Sequence, residues 1–220
     1  MRLPGLRRRA RRTDLASLAK EVGDDWKQNA YYDEAEASLE TQWPGLIWPL
    51  IEDCDFAAVV ELAPGHGRNS EKLRHLATTL YLVDINQENV DFLKHRFREA
   101  TNIVYVRNDG VSLEAIPDKS ATFVYCFDAM VHFDSDVVRA YLREFHRVLR
   151  SGGRCFCHYS NYTGNPTGSY RDHPGARNFM SRELFEHYAW KEGLKPIVSQ
   201  LVVWTQDEGG VDAITLLEKP

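Results

Sequence analysis

Four acids stand at or just beyond the ends of four successive apolar runs, and chemistry is to be sought there. Glu61 lies in the run 57–62 (AAVVEL), Asp84 follows 79–83 (TLYLV), Asp109 follows 102–106 (NIVYV) and Asp128 follows 121–127 (ATFVYCF). After the first run, Gly65 and Gly67 flank His66, a spacing that lets the backbone turn tightly and approach a ligand closely. Asp84 lies nineteen residues past Gly65, the spacing at which an acid accepts hydrogen bonds from ribose hydroxyls. The one base close to this set is Arg68. A pocket lined in this way suits a ligand that carries ribose and positive charge, and suits a pyrophosphate poorly.

The segment 128–136 (DAMVHFDSD) is the second place where chemistry is expected. His132 is the natural general base, because imidazole titrates at about 6.5 and so accepts protons near neutral pH. The competing reading is a histidine bonded to backbone at a helix entry. Asp134 stands close enough in sequence to hold the His132 ring, yet Asp134 and Ser135 also read as caps of a helix beginning near Asp136. His132, Asp134 and Asp136 together would offer donors to a divalent cation. Capping already explains two of the three, so a metal is not favoured. His158, at the end of the run 154–159 (RCFCHY), either orients an acceptor or packs beneath the next loop. That loop, 160–178, is long for a compact domain, and such loops are commonly lids or binding elements. Its Tyr162, Tyr170, Arg171, His173 and Arg177 suit a polyhydroxylated ligand, through hydrogen bonds and stacking on ring faces; an ordinary surface loop is the alternative.

Positioning these groups requires a scaffold, and the apolar pattern supplies one. The four runs, joined by 154–159, are short and continuous, as expected of strands buried on both faces. Between them lie helical stretches at 69–77, 87–98 and 136–149, the last with an apolar stripe at helical spacing and Gly152-Gly153 as its stop. A helix near 181–192 and strands near 197–205 and 211–218 complete the chain. Alternating strands and helices imply an α/β, doubly wound, mostly parallel sheet of seven strands, ending in an antiparallel hairpin. Ligands bind such sheets beyond the carboxyl ends of the strands, where the four acids fall. Ahead of the sheet, 13–53 reads as helical and rich in aromatics, with Asp14 as the first cap and Trp26, Tyr31, Tyr32, Trp43 and Trp48 inside it.

Of the 220 residues, 43% are hydrophobic and 27% charged, a composition that excludes a disordered or fibrous chain. No apolar run reaches the roughly 18 residues of a membrane span, and a cytoplasmic protein is expected. Six arginines fall within residues 1–12 with no acid, leaving 21 basic against 32 acidic residues in the rest. An acidic body argues against a nucleic-acid groove. The basic tail is expected to be disordered, with contact to an anionic surface as the other reading. Cys54, Cys126, Cys155 and Cys157 form no C-x-x-C pair, so neither a disulfide framework nor a structural zinc is expected.

Taken in order, VVELAPGHGRNS, LVDIN, NDG, FVYCFDAMVHF and FHRVLRSGG, within residues 57–159, resemble the class I S-adenosylmethionine-dependent methyltransferases. The resemblance implies a Rossmann-like domain over 57–220, a helical lid over 13–56 and S-adenosylmethionine as cofactor. It would place Glu61, Ala63, Gly65 and Gly67 around the methionine end and Asp84 with Ile85 at the ribose. Asp109 with Gly110 would flank the adenine, and Asp128 would lie near the amino group. Ala63 stands where the family's first glycine usually falls, and is expected at negative φ. The aromatic N-terminal segment, the D-x-x-x-H of Asp128 and His132 after the fourth strand and the HYSNY ending of the fifth look most like bacterial small-molecule and sugar O-methyltransferases, a methylmannose-type oligosaccharide among the acceptors they suggest. No NPPY-like signature of amino-group nucleic-acid methyltransferases follows the fourth strand. A nicotinamide-dependent oxidoreductase, whose third motif glycine would fall at Ser70, and a non-catalytic binding module remain open at this point. A homodimer is compatible with the sequence but not required by it.

Overall fold

The computed structural model describes residues 14–27, 30–204 and 210–220; the basic segment 1–12 and Thr205 fall outside them. Seven strands form one sheet: β1 (Ala58–Leu62), β2 (Thr79–Asp84), β3 (Ile103–Arg107), β4 (Ala121–Met130), β5 (Leu149–Ser160), β6 (Lys195–Val202) and β7 (Asp212–Glu218). Their order is β3-β2-β1-β4-β5-β7-β6. β1 to β5 are parallel, and β7 pairs antiparallel with both β5 and β6. After β1 the chain winds outward through β2 and β3, then returns to lay β4 against the other side of β1. The crevice between β1 and β4 is therefore the topological switch point, where ligands bind such sheets.

Period-two alternation divides the side chains of each central strand between two cores. Val60, Leu62, Val124 and Cys126 face one of them, together with Tyr141 and Phe145 of α7 (Ser135–Val148). Val59, Phe123 and Tyr125 face the other, with Leu73 of α5 (Ser70–Leu76) and Ile47 and Ile51 of the N-terminal region. α6 (Gln87–Arg96) follows β2, and α8 (Arg182–Lys191) precedes β6. All four cysteines are free thiols.

Several boundaries differ from the expected ones, each for a local reason. α7 stops at Val148, and Gly152-Gly153 lies inside β5, where Gly152 takes a φ of 76°. β4 continues past Phe127 to Met130, with an irregularity in its pairing between Cys126 and Met130. The N-terminal stretch divides into α1 (Leu15–Asp25), α2 (Tyr31–Glu36), α3 (Leu39–Gln42), a π-helical turn (Trp43–Ile47) and α4 (Trp48–Ile51). Asp14 stands at the N-cap of α1, but its side chain makes no capping bond. Residues 43–51 belong to the second core, so α1 and α2 alone lie over the switch point.

The turn after β1 requires glycine at Gly67. Its φ is 85°, and a Cβ there would lie 2.7 Å from Leu93 and 2.8 Å from Phe97. At Gly152 the φ is similar, but nothing lies within 4 Å of the added carbon. Alanine at either position takes on the left-handed cost of about 1–2 kcal/mol. Only at Gly67 does overpacking add to it, by about 1–3 kcal/mol. Gly67→Ala should therefore lower the urea-unfolding free energy by more than Gly152→Ala; equal losses would show that the turn shifts to make room.

Candidate active site

At the switch point lies a cavity with about 670 Å³ of empty space, between the carboxyl ends of the strands and the N-terminal helices. Ala63, Asp84, Ile85, Gly110 and Asp128 line it from the sheet side, and Gly23 and Trp26 of the α1 region from above. A smaller polar cavity adjoins it, lined by Glu61, Gly65, Arg68 and Asp128. The expected acids thus converge, apart from Asp109. Its carboxylate accepts from the amides of Val111 (3.0 Å) and Ser112 (2.8 Å), which closes a turn, and Asn108 lines the cavity in its place. Gly67 also turns away, packing against Leu93 and Phe97.

Asp84 is 3% exposed and collects donors from three sides. The amide of Asn86 lies at 2.8 Å, the Asn89 side chain at 3.2 Å and the amide of Gly65 at 3.3 Å. Burial nevertheless pushes its carboxyl up to about 6. Burial likewise pushes Glu61, which accepts one bond from Ser70 Oγ at 2.6 Å, up to about 7. Buried carboxylates so short of countercharge gain from cationic or hydroxyl-bearing ligands. The floor is shaped by close backbone approach. A Cβ on Gly110 would fall 2.6 Å from Ile85 and 2.7 Å from Ala19, and one on Gly65 would fall 2.5 Å from the Tyr32 ring. Ala63 adopts a φ of 53°, against the expected negative value; its amide is fastened to the Val83 carbonyl at 2.8 Å.

Asp128 sits within β4 at a φ of 60°, which breaks the strand's alternation. Its carboxylate accepts from Tyr31 Oη (2.5 Å) and from Arg68 Nη2 (3.0 Å). Arg68 also donates to the Ala35 carbonyl at 2.9 Å and lies over the Phe127 ring. Tyr32 Oη accepts from Asn89 at 3.3 Å, so two neighbouring tyrosines tie α2 to both ends of the acid array. Their aromatic character was visible in the sequence, but not that Tyr31 would reach Asp128 and Tyr32 would reach Asn89 beside Asp84.

His132 lines the cavity with its ring stacked on Trp26, centroids 4.4 Å apart. Its Nδ1 lies 2.8 Å from the carbonyl oxygen of Ala176. A carbonyl only accepts, so Nδ1 carries the proton and Nε2 is left with its lone pair. Burial holds the ring well below its ordinary value, at about 4, so it is neutral at physiological pH. Asp134 does not hold this ring. It caps α7, accepting from the Asp136 amide at 2.8 Å. Among the described residues no three His, Cys, Asp or Glu side chains gather as a metal site would require.

His158 is wholly buried instead of standing at the rim. Its Nδ1 accepts from the Asp128 amide at 3.1 Å, and its Nε2 lies 3.3 Å from Asp212 Oδ2. The ring stacks on Phe127. The loop donors are likewise committed within the protein. Tyr170 donates to Asp25, Arg171 reaches Asp25 and Glu21, and Arg177 grips Asp212. Tyr170 and Arg171 thereby latch the loop to α1, while Arg177 is spent on β7. Asp212, at the start of a strand near the C-terminus, carried no signal in the sequence.

Residues 60–157 match the family model described as "Methyltransferase domain". The matched stretch, just under half of the chain, runs from β1 into β5, and the fold is the Rossmann-like one found in S-adenosylmethionine-dependent methyltransferases. The fold is shared with proteins of low sequence identity. A Streptomyces coelicolor geranyl diphosphate C-methyltransferase, solved with Mg²⁺, geranyl diphosphate and S-adenosyl-L-homocysteine, is 12% identical (TM-score 0.70, covering 92% of this chain and 98% of that one). A chain from the complex of the Haloferax volcanii Trm112 methyltransferase activator with a putative methyltransferase is 16% identical (TM-score 0.69, 90% and 97%). A Mesorhizobium loti S-adenosylmethionine-dependent methyltransferase is also 16% identical (TM-score 0.67, 82% and 99%). No curated protein matches the sequence. No helix among the described residues is long and apolar enough to cross a membrane.

The residues present fit S-adenosylmethionine: two buried, cation-poor carboxylates, Asp84 in the cavity and Glu61 in its polar annex, suit ribose hydroxyls and positive charge. Ionised carboxylates are the forms that hold an ammonium or hydroxyl donors. Affinity for S-adenosylhomocysteine should therefore fall as pH drops from 8 to 5, through about 7 for Glu61 and about 6 for Asp84. Asp84→Asn should weaken binding by about 1.5–3 kcal/mol at pH 8 and abolish the lower step. Calorimetry across this range checks both; an unchanged affinity would remove Asp84 from the cofactor site.

Proposed function

We propose that this protein transfers a methyl group from S-adenosylmethionine to a hydroxyl of a small, uncharged acceptor, a sugar or glycoside in the first instance, with His132 Nε2 taking the hydroxyl proton. Glu61, Ala63, Gly65, Asp84, Ile85, Gly110 and Asp128 would hold the cofactor. When bound, the cofactor supplies a methyl already activated by the positive sulfur. The work left to the protein is to align the acceptor oxygen and accept its proton as the new bond forms.

One observation carries this reading: His132 borders the cavity with Nδ1 committed to the Ala176 carbonyl, which leaves Nε2 unprotonated. A hydroxyl is a poor nucleophile while protonated, so a neutral imidazole there is useful; burial keeps it neutral. The charge balance supports an uncharged acceptor. Arg68 and Arg177, the guanidiniums near the site, are each paired with a buried or half-buried carboxylate, Asp128 and Asp212. An acceptor with a diphosphate, such as the one bound by the Streptomyces enzyme, would have to break those pairs. Trp26 offers an aromatic face of the kind that sugars stack on. α1, α2 and the latched 160–178 loop would serve as the lid.

Radiolabelled methyl transfer tested on neutral sugars and glycosides, beside their phosphorylated counterparts, is the direct test; transfer only to the phosphorylated set would overturn the acceptor class. His132→Gln should lower kcat by roughly 10²–10⁴-fold while affinity for S-adenosylhomocysteine stays within a few-fold of wild type. Because the ring must be deprotonated to accept, the wild-type rate at saturating cofactor should be lost as pH falls towards about 4 and be level from 6 to 8. A rate that rises through pH 6.5 would place the base elsewhere.

A further inference from the structure

We propose that Asp212 is a positioning residue that sets where the protons sit on both histidines beside the cavity, on His158 directly and on His132 through Arg177 and the Ala176 carbonyl. Its importance for the reaction rests on His132 being the proton acceptor; its effect on the protons does not.

The direct arm is short. The Asp128 amide donates to His158 Nδ1 at 3.1 Å, so that nitrogen is bare and the ring's proton lies on Nε2, facing Asp212 Oδ2 at 3.3 Å. The amide of Asp128, the residue at a φ of 60°, sets this tautomer, and the Asp212 carboxylate lies close enough to favour the Nε2 proton by its charge, without a formed hydrogen bond.

The indirect arm passes through the loop. Asp212 is fully buried and accepts a two-pronged grip from Arg177, Nε to Oδ1 at 2.9 Å and Nη2 to Oδ2 at 2.6 Å. Trp204 Nε1 donates to Oδ2 at 2.5 Å. Burial pushes the Asp212 carboxyl up, but Arg177 and His158 outweigh it and hold it below the usual carboxylate range. Arg177 Nη1 also turns back to the Gly175 carbonyl at 2.7 Å. Between these two anchors stands Ala176 at a φ of 55°. Such a backbone is unfavourable for alanine and persists only where its surroundings over-determine it. Next along the chain, the Asn178 amide donates to the Val131 carbonyl at 2.8 Å, and the Asn178 side chain donates to the His132 carbonyl at 3.2 Å. The Ala176 carbonyl is thereby aimed at His132 Nδ1. Without the carboxylate the guanidinium loses its anchor and Ala176 can relax to negative φ, turning its carbonyl away from His132 Nδ1 and removing the bond that favours the Nδ1-protonated tautomer.

The test is the side-chain ¹⁵N spectrum of the full chain at pH 7.5, with the His132 and His158 signals identified by loss in His132→Gln and His158→Gln. In the wild type, His132 should show a protonated Nδ1 and His158 a protonated Nε2. In Asp212→Asn, whose amide can accept only one of the two guanidinium bonds and carries no charge, the His132 pattern should collapse to a mixture of tautomers. Arg177→Lys, which keeps the charge but loses the fork, should do the same to His132 while leaving His158 as in the wild type. This second variant decides the indirect arm if Asp212→Asn does not fold. A folded variant that keeps His132 wholly in the Nδ1-protonated form overturns the proposal. Methyl transfer separates this from the assignment of the base. If the tautomers redistribute but His132→Gln retains full activity, the positioning stands and the base is another group. If the tautomers hold while His132→Gln is inactive, Asp212 has no such role and the base assignment stands.

Discussion

Asp128 holds a left-handed backbone in the middle of a strand, and the site is arranged around that irregularity. A non-glycine residue in this conformation costs about 1–3 kcal/mol and needs neighbours that hold it there. His158 does so from beneath, through its bond with the Asp128 amide; Tyr31 and Arg68 do so from above, through the carboxylate. A regular β4 would send residue 128 to one face of the sheet, as alternation requires. The break lets its carboxylate border both the large cavity and the polar annex. One distorted residue thus joins β4, β5, α2 and the turn after β1.

The electrostatics follow from burial. Glu61 and Asp84 are withdrawn from water with hydroxyl and amide donors but no paired cation, so both are held above the ordinary carboxylate range. Arg68 and Arg177 are paired with Asp128 and Asp212. Replacing such buried pairs by apolar groups often leaves stability unchanged or raises it, so their value here lies in geometry more than in free energy. The guanidinium fork fixes two distances at once, which a single hydrogen bond does not. The site is therefore acidic at Glu61 and Asp84 and neutralised at the Arg68–Asp128 and Arg177–Asp212 pairs.

The upper wall is built from pieces far apart in sequence. α1 brings Gly23 and Trp26, and the Asn86 side chain fastens the Gly23 carbonyl at 2.8 Å. Tyr170 and Arg171 then tie the long loop to Asp25 and Glu21. Loop groups that look like ligand donors in a linear reading are consumed in this fastening. That leaves the Trp26 and His132 rings, stacked on one another, lining the cavity beneath the loop.

The alternating apolar runs determined the doubly wound sheet, because strands buried on both faces leave a continuous hydrophobic signature that needs no knowledge of their neighbours. The same runs located Glu61, Asp84 and Asp128, since the crevice of a parallel sheet lies at its carboxyl edge whatever the side chains. What the sequence did not reveal is direction and partnership. Asp109 turned out to close its own turn, because the nearest free amides outcompete distant ligands for a short carboxylate; for Asp134 the same competition was legible in the sequence as a helix cap, and it caps α7. His158, which reads as a rim residue, became a buried support once β7 brought Asp212 beneath it. Ala63 took a positive φ that its side chain disfavours, in a turn whose amide is fastened to β2. The tautomer of His132 was decided by a carbonyl 44 residues away. Local pattern records which surfaces must be hidden from water; only the folded chain decides which hydrogen-bond partners arrive first.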